Sequence, residues 1–586
     1  MKMKSISVVA AAVLAFAAAS VNAQTVGVAM SGSSALYLEL GQASASFGTA
    51  SPCHWTTGSK IFTLTDSRFT PNVVDTGSAW ITWSAGSGTC AAPTGAFVVN
   101  LDVNVDSTVG NRCFFAVMPG SAPAGGSGCV LTTSATAGTA GAGALNLPTA
   151  DTALPAAIVT LLATGNSGSP FHMNSAATDI RPEDAAFATL RALTPCGQVV
   201  SGQYLGLGYQ TSTPFLGTAI AGSSLNHAGS GSFNVAGFNL TGTDPVTGGA
   251  VRSFQVDPVG AVPVVIFVNP SDTTGLGSLA VTNIDRAVLS GYFDGTLGRV
   301  TDIIPQAFTS NAVGTFVYVR EPLSGTYNTM EFNIPNNQEN QSSIDVGLAA
   351  LNAFNNGLTA PNLNCGVSGT QGTGATATVL QNPLQETGLH TGVSGGGRFR
   401  AIGTGNMVAA VLAQSDGMGF AFWSAANFKN ALASNAKYLT VDGIDPIQET
   451  WSDGTVPTAG NDLLGNVTFA HVKDGSYPIW SQLRVECDKT TSCTAVGALA
   501  TDALSFLSPF QPDFVPTTQL AIFRSHFAPP GINFPCTAGA NTPDNGASGS
   551  EVECGGDVGG MVYSQQADGD YNADNGTTTG VTGRRQ

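Results

Sequence analysis

Short runs rich in Val, Ile and Phe recur along this chain at residues 96–103, 262–268, 314–319, 418–422 and 479–485. Segments of helical periodicity stand among them, at 182–192, 282–293, 343–355 and 404–413. Branched and aromatic side chains suit a pleated surface, and strands alternating with helices imply an α/β protein built on open sheets. Long stretches of Gly, Ser, Thr and Ala without periodicity, at 119–148, 211–231 and 366–377, are expected to be loop insertions on that framework. From about residue 541 the composition turns to Gly, Asp, Asn and Thr, the expectation for a flexible C-terminal tail.

The first residues carry Lys2 and Lys4, an apolar run over 8–21, and small residues up to Ala23. That is the pattern of a cleaved signal peptide spanning 1–23, and no Cys follows it to take a lipid anchor. The expected location is periplasmic or extracellular, with no membrane insertion. Ten cysteines fit an oxidising compartment. The expected bridges are Cys113–Cys129, Cys487–Cys493 and Cys536–Cys554, followed by Cys53–Cys90 and Cys196–Cys365. There is no CxxC, and the His beside a Cys is His54, so neither a zinc site nor any other cofactor is expected. A formal charge of −17 argues against nucleic acid as a partner. It does not oppose local capture of a small anion, because charge beyond about 10 Å is screened by salt.

Such a capture site is suggested by Arg320 followed four residues later by Ser324-Gly325-Thr326. A guanidinium, two hydroxyls and a glycine that admits close backbone approach are the parts that hold a tetrahedral oxyanion. If the Ser-Gly-Thr run opens a helix continuing through 327–332, its amides and dipole face the same point. The same residues also serve a plain turn with a helix N-cap.

Four segments in order resemble the phosphate-binding protein of bacterial phosphate ABC transporters, a member of the type 2 periplasmic binding protein superfamily. Met30-Ser-Gly-Ser-Ser-Ala-Leu-Tyr37 resembles the family's opening turn, giving Ser34 a hydroxyl role and Ala35 a backbone contact. Val105-Asp-Ser-Thr-Val-Gly110 is similar to its serine loop and places Ser107 on the ligand. There Asp106 stands where the family has glycine, and it would repel a dianion unless it points away. Asn174-Ser-Ala-Ala-Thr-Asp179 resembles the segment whose aspartate accepts a hydrogen bond from protonated phosphate and thereby rejects sulfate. Asp179 equally suits a helix N-cap three residues before Pro182. Arg320, Ser324, Gly325 and Thr326 match without a gap. Arg320 is then expected to bond the anion and keep Asp179 ionised, its alternative being a surface ion pair with Glu321 or Glu331.

The resemblance implies a two-lobed periplasmic-binding-protein fold with long insertions. Lobe 1 comprises 24–267 and 416–540, lobe 2 comprises 268–415, and the tail runs over 541–586. The implied function is capture of inorganic phosphate or a similar oxyanion between the lobes, without chemistry on it, with an ABC permease as a further partner. The alternative is a surface, matrix or adhesion protein reusing the fold around a vestigial site. Enzymatic signals are slight: no HExxH occurs, Gly392-Val-Ser-Gly-Gly396 lies in a glycine-rich loop, and Ser525-His526 orients nothing. Oxygen donors at alternate positions over 568–574 suggest either a calcium loop or a solvated acidic tail. Trp80 and Trp83 in a strand-like run suggest core packing or sugar stacking.

Overall fold

A computed structural model describes residues 25–46, 52–56, 62–65, 73–84, 97–115, 154–164, 172–193, 199–200, 204–205, 238, 240, 250–294, 297–303, 313–334, 378–380, 396–425, 437–448, 467–521, 523–524 and 561–562. The expected signal peptide, the three insertions, the helix at 343–355, the 568–574 motif and the tail but for 561–562 lie outside them. Among the described residues no helix is long and apolar enough to cross a membrane.

The strands that organise the molecule are β1 (Thr25–Gly32), β2 (Pro52–Thr56), β3 (Val73–Ser84), β4 (Val98–Asn104), β5 (Ser175–Thr178), β6 (Phe254–Val268), β7 (Phe316–Arg320), β8 (Thr378–Leu380), β9 (Gly397–Ala401), β10 (Gly417–Phe422) and β11 (Trp480–Asp488). They form one mixed sheet in the order β8-β9-β7-β10-β6-β11-β5-β1-β4-β3-β2. Two parallel trios sit in it. β1 lies between β4 and β5, and β7 between β9 and β10. In each trio the first strand in sequence is the central one, so the chain reverses direction across the sheet at its carboxyl end.

β6 and β11 join the trios. The first part of β6 pairs antiparallel with β11, and its last residues, 264–268, pair antiparallel with β10. One strand therefore runs from one half of the sheet into the other, giving the expected two-lobed α/β fold. β10 pairs with β7 and the far end of β6, so it belongs to the second half.

Helices follow the parallel strands, α1 (Tyr37–Ser46), α2 (Ser107–Phe115) and α3 (Pro182–Leu193) in the first half; α4 (Arg286–Asp294) lies between β6 and β7, α5 (Gly325–Asn333) and α6 (Thr404–Leu412) follow β7 and β9, and α7 (Cys493–Ala503) comes after β11. The main core is continuous through both halves, running from Met30, Trp80 and Leu101 through Val264 and Ile266 to Val319 and Phe420. Trp80 and Trp83 are buried in it, and the Trp80 Nε1–H donates to the Tyr37 carbonyl at 3.1 Å. That fits packing rather than sugar stacking. The Tyr477 hydroxyl donates to the Val264 carbonyl at 2.6 Å, tying the turn before β11 to the crossing strand. Cys487 and Cys493 form the expected disulfide, linking β11 to α7. Cys53 and Cys113 are also disulfide-bonded, and Cys90 and Cys129 lie outside the described residues.

Candidate functional site

The carboxyl ends of the parallel strands from both halves converge on one buried point. In open α/β sheets ligands bind outside these ends, where the strand order reverses. β1 delivers Ser33, β4 delivers Asp106 and Ser107, and β5 delivers Asp179. From the other half, β7 delivers Arg320, Glu321 and the Ser324–Thr326 turn, and β9 delivers Gly403 and Thr404.

Asp179 is the centre of the first half's contribution. It is 2% exposed, and its carboxylate accepts the Ser107 hydroxyl and, at 3.3 Å, the Ser33 hydroxyl. The Ser481 hydroxyl on β11 donates to its backbone carbonyl. Helix α3 starts only at Pro182, with the Ala185 N–H donating to the Arg181 carbonyl. Asp179 therefore stands ahead of the helix, turned to Ser33 and Ser107, and does not serve as its cap. Burial raises its pKa to about 6, against the opposing pull of the Ser107 bond, its own backbone, Arg320 and Ser33.

Ser33, rather than Ser34, is the hydroxyl at this point. Gly32 takes φ +138, a conformation that L side chains rarely adopt, and a Cβ there would lie 2.0 Å from the Ala177 carbonyl oxygen. That turn directs Ser33 inward, leaves Ser34 exposed, and lets the Ala35 N–H donate to Ser33 Oγ at 3.2 Å.

From the second half, Ser324 stands at the N-cap of α5 in extended conformation and makes no side-chain cap bond. Gly325 abuts Asp179 directly: a Cβ there would lie 1.6 Å from Asp179 Oδ1 and 2.6 Å from Ser107 Oγ. The halves are also stitched by Thr108, whose N–H and hydroxyl both donate to the Leu323 carbonyl, at 3.3 and 2.6 Å. Deeper in, Arg191 of α3 pairs with Glu331 of α5 at 2.5 Å, both buried.

Arg320 is buried, and its fork is engaged by its neighbour. Nε and Nη2 each donate to Glu321 at 2.7 Å, while Nη1 donates to Thr404 Oγ1 at 3.0 Å and Thr326 Oγ1 at 3.5 Å. The expected pair with Glu321 exists, but inside the protein rather than on its surface. The expected pair with Glu331 does not form, since Glu331 belongs to Arg191. Asp106 does not point away: its Oδ1 lies 3.6 Å from Arg320 Nη2. Burial opposes charge on both members of the Arg320–Glu321 pair. Their mutual attraction outweighs it, holding Glu321 below and Arg320 above the usual values. Burial, then repulsion from Asp75 and Glu321, raises Asp106 well above the usual carboxylate range against the pull of Arg320.

The structure thus brings Ser107, Asp179, Arg320, Ser324, Gly325 and Thr326 together and holds Ala35 at the edge by its amide, with Ser34 turned outward. Sequence reasoning missed Ser33, Asp75, Gly403 and Thr404. The Gly403 N–H donates to Glu321 Oε1 at 3.0 Å, a contact across 82 residues that no local motif announces. No group of three or more His, Cys, Asp or Glu side chains able to hold a metal occurs among the described residues.

No family model matches the chain, and no curated protein matches it by sequence. Among solved structures it is similar to an ABC-type phosphate transport receptor from Vibrio cholerae, at 12% identity and a TM-score of 0.24, over 43% of this chain and 68% of that one. It is similar also to a phosphate-binding protein from Stenotrophomonas maltophilia, at 18% identity and a TM-score of 0.23, over 46% and 68%. A third is a putative phosphate ABC transporter substrate-binding protein with bound phosphate from Clostridium perfringens, at 10% identity and a TM-score of 0.24, over 43% and 66%. TM-scores this low fix neither fold nor ligand, which rest on the strand pairing and the site geometry.

Proposed function

We propose that this chain is an exported solute-binding protein that captures an oxyanion, phosphate first among them, between its two lobes. The observation that carries this reading is the meeting of Ser33, Ser107 and Asp179 from one half with Arg320, Ser324, Gly325 and Thr326 from the other. Hydroxyls now pinned to Asp179 can turn to an anion entering between Asp179 and Gly325. The uncapped first turn of α5 adds amides and a positive dipole end. Asp179 ionised near neutrality accepts a hydrogen bond from the O–H of a protonated oxyanion and repels sulfate, which brings none.

Lobe closure then follows from ligand capture, because the donor set is complete only when both halves meet. Delivery to an ABC permease in the periplasm is the role this reading assigns, with no chemistry performed on the anion. Calorimetry of the secreted protein with phosphate and with sulfate tests it. Saturable phosphate binding that Arg320→Ala weakens by at least about 2–3 kcal/mol is the expected result. Wild-type protein that takes up neither anion would instead favour a matrix or adhesion role around a vestigial site.

A further inference from the structure

More acid surrounds Arg320 than a one-aspartate phosphate pocket requires. The guanidinium is committed to Glu321 on one edge and to Thr404 and Thr326 at Nη1. Asp106 reaches it from the opposite half, at the start of α2 beside the Ser107 that holds Asp179. Behind it, Asp75 on β3 accepts the Asp106 N–H at 3.3 Å. Asp106 is 6% exposed, its Oδ2 is wholly buried, and its carboxyl faces that of Glu321 within hydrogen-bonding reach, so a proton there is shared between the two acids. Two buried carboxylates facing each other repel, and one shared proton removes that repulsion.

Building on the phosphate reading, we infer that Asp106 is a second specificity residue beside Asp179, so that pocket and oxyanion must together carry two protons for the halves to close. One proton lies between the anion and Asp179, as in the reading above. The other is held by Asp106 against Glu321, where the two halves meet, and is taken up as they close. The groups facing Asp106 are Asp75 from β3, Arg320 and Glu321 from the end of β7, and, across Ser107, Asp179 from the end of β5. Three of these four are acids, which favours holding the proton, and burial pushes Asp106 the same way. Asp179, at about 6, has already lost its own proton by neutrality and contributes no further titration above it.

The test is calorimetric titration of the full secreted chain with inorganic phosphate between about pH 7.5 and pH 9. There, a pocket relying on Asp179 alone binds monohydrogen phosphate with no pH dependence. With Asp106 sharing a proton, wild-type affinity falls by up to about tenfold per pH unit at the alkaline end, one proton's worth of linkage. Asp106→Asn, which keeps the shape and removes the charge, should hold affinity within about twofold over the same range. A flat wild-type profile, or an Asp106→Asn profile as steep as wild type, overturns the inference while leaving phosphate capture intact. If the variant fails to fold, the wild-type slope still decides. Absence of saturable phosphate binding at every pH overturns the phosphate reading and this inference with it.

Discussion

Gly325→Ala separates the fold of each half from the contact between them. Position 325 opens α5, and its φ lies outside the positive range, so alanine fits the local backbone. Exchanging glycine for alanine in a helix favours it by up to about 1 kcal/mol. The difficulty lies across the interface. The added methyl would lie 1.6 Å from Asp179 Oδ1, 2.4 Å from its Cγ and 2.6 Å from Ser107 Oγ. Asp179 cannot simply retreat, because Ser33, Ser107 and the Ser481 bond to its carbonyl fix it from three separate segments.

The relief available is to part the halves. Overpacking of this kind costs about 1–3 kcal/mol, and because the clash exists only when closed, the whole penalty falls on ligand binding. Phosphate affinity should drop by about 5- to 150-fold. Thermal stability without ligand should stay within about 1 kcal/mol of wild type, and small-angle scattering should report a larger radius of gyration. Calorimetry alongside a melting curve checks both. Affinity within about twofold of wild type, at unchanged stability, would refute the idea that anion capture requires Gly325 against Asp179.

Other outcomes follow from the same geometry. Asp179 has a folded pKa of about 6 against an ordinary 3.8, so the folded state keeps a proton that the unfolded chain releases. Its contribution makes stability fall as pH rises from about 3.8 to about 6 and level off above, about 1 kcal/mol of it between pH 5 and pH 7; urea titrations of wild type and Asp179→Asn at both values check this. Asp102, wholly buried on β4, is raised by burial to about 8, so its contribution to stability is lost progressively as pH rises from 3.8 to 8. Asp102→Asn should therefore match wild type near pH 4 and exceed it at pH 7 by at most about 4 kcal/mol, read as a shift in denaturation midpoint. Replacing Cys487 and Cys493 by Ala opens a six-residue loop and should cost about 2 kcal/mol in melting experiments while leaving phosphate affinity unchanged. Glu331→Gln strips the partner from buried Arg191 at the interface between α3 and α5, a change of about 3–5 kcal/mol that should appear as weaker phosphate binding and a more open molecule in scattering.

The strands were legible because their Val, Ile and Phe runs are apolar on both faces, which suits a sheet interior. β6 shows where that signal stops. Its apolar run begins at Val262, yet the strand begins at Phe254, through Gln255, Asp257, Pro258 and Gly260. Pairing with β11 along that stretch imposes extended structure that the composition does not announce. The site was legible in part for a related reason. Ser107, Asp179 and Ser324 each stand between a strand and a helix start, so short motifs mark them. Ser33 and Ser34 are indistinguishable as types, and the φ of Gly32 decides which faces inward. Glu321 was visible only as a neighbour of Arg320, since sequence adjacency does not reveal that both are buried. Thr404 and Gly403 reach the site through β9 alone, a tertiary fact.

The charges themselves weigh on whether the pocket is in use. A protein that employed this fold only as scaffold would gain from apolar residues here, because buried ion pairs are often neutral or costly beside well-packed isosteres. Instead Asp75, Asp106, Asp179, Arg320 and Glu321 are all buried at the carboxyl ends of strands from both halves or directly beside them. Asp106 and Asp179 are held with raised pKa values, a standing penalty at neutral pH. Structural ion pairs elsewhere in the chain, such as Arg252 with Asp488 at 3.5 Å, set one charge against one. At the interlobe point four buried acids, Asp75, Asp106, Asp179 and Glu321, gather about Arg320 instead. Such a concentration of buried charge is costly in a purely structural core, and that cost is what the proposed anion capture would account for.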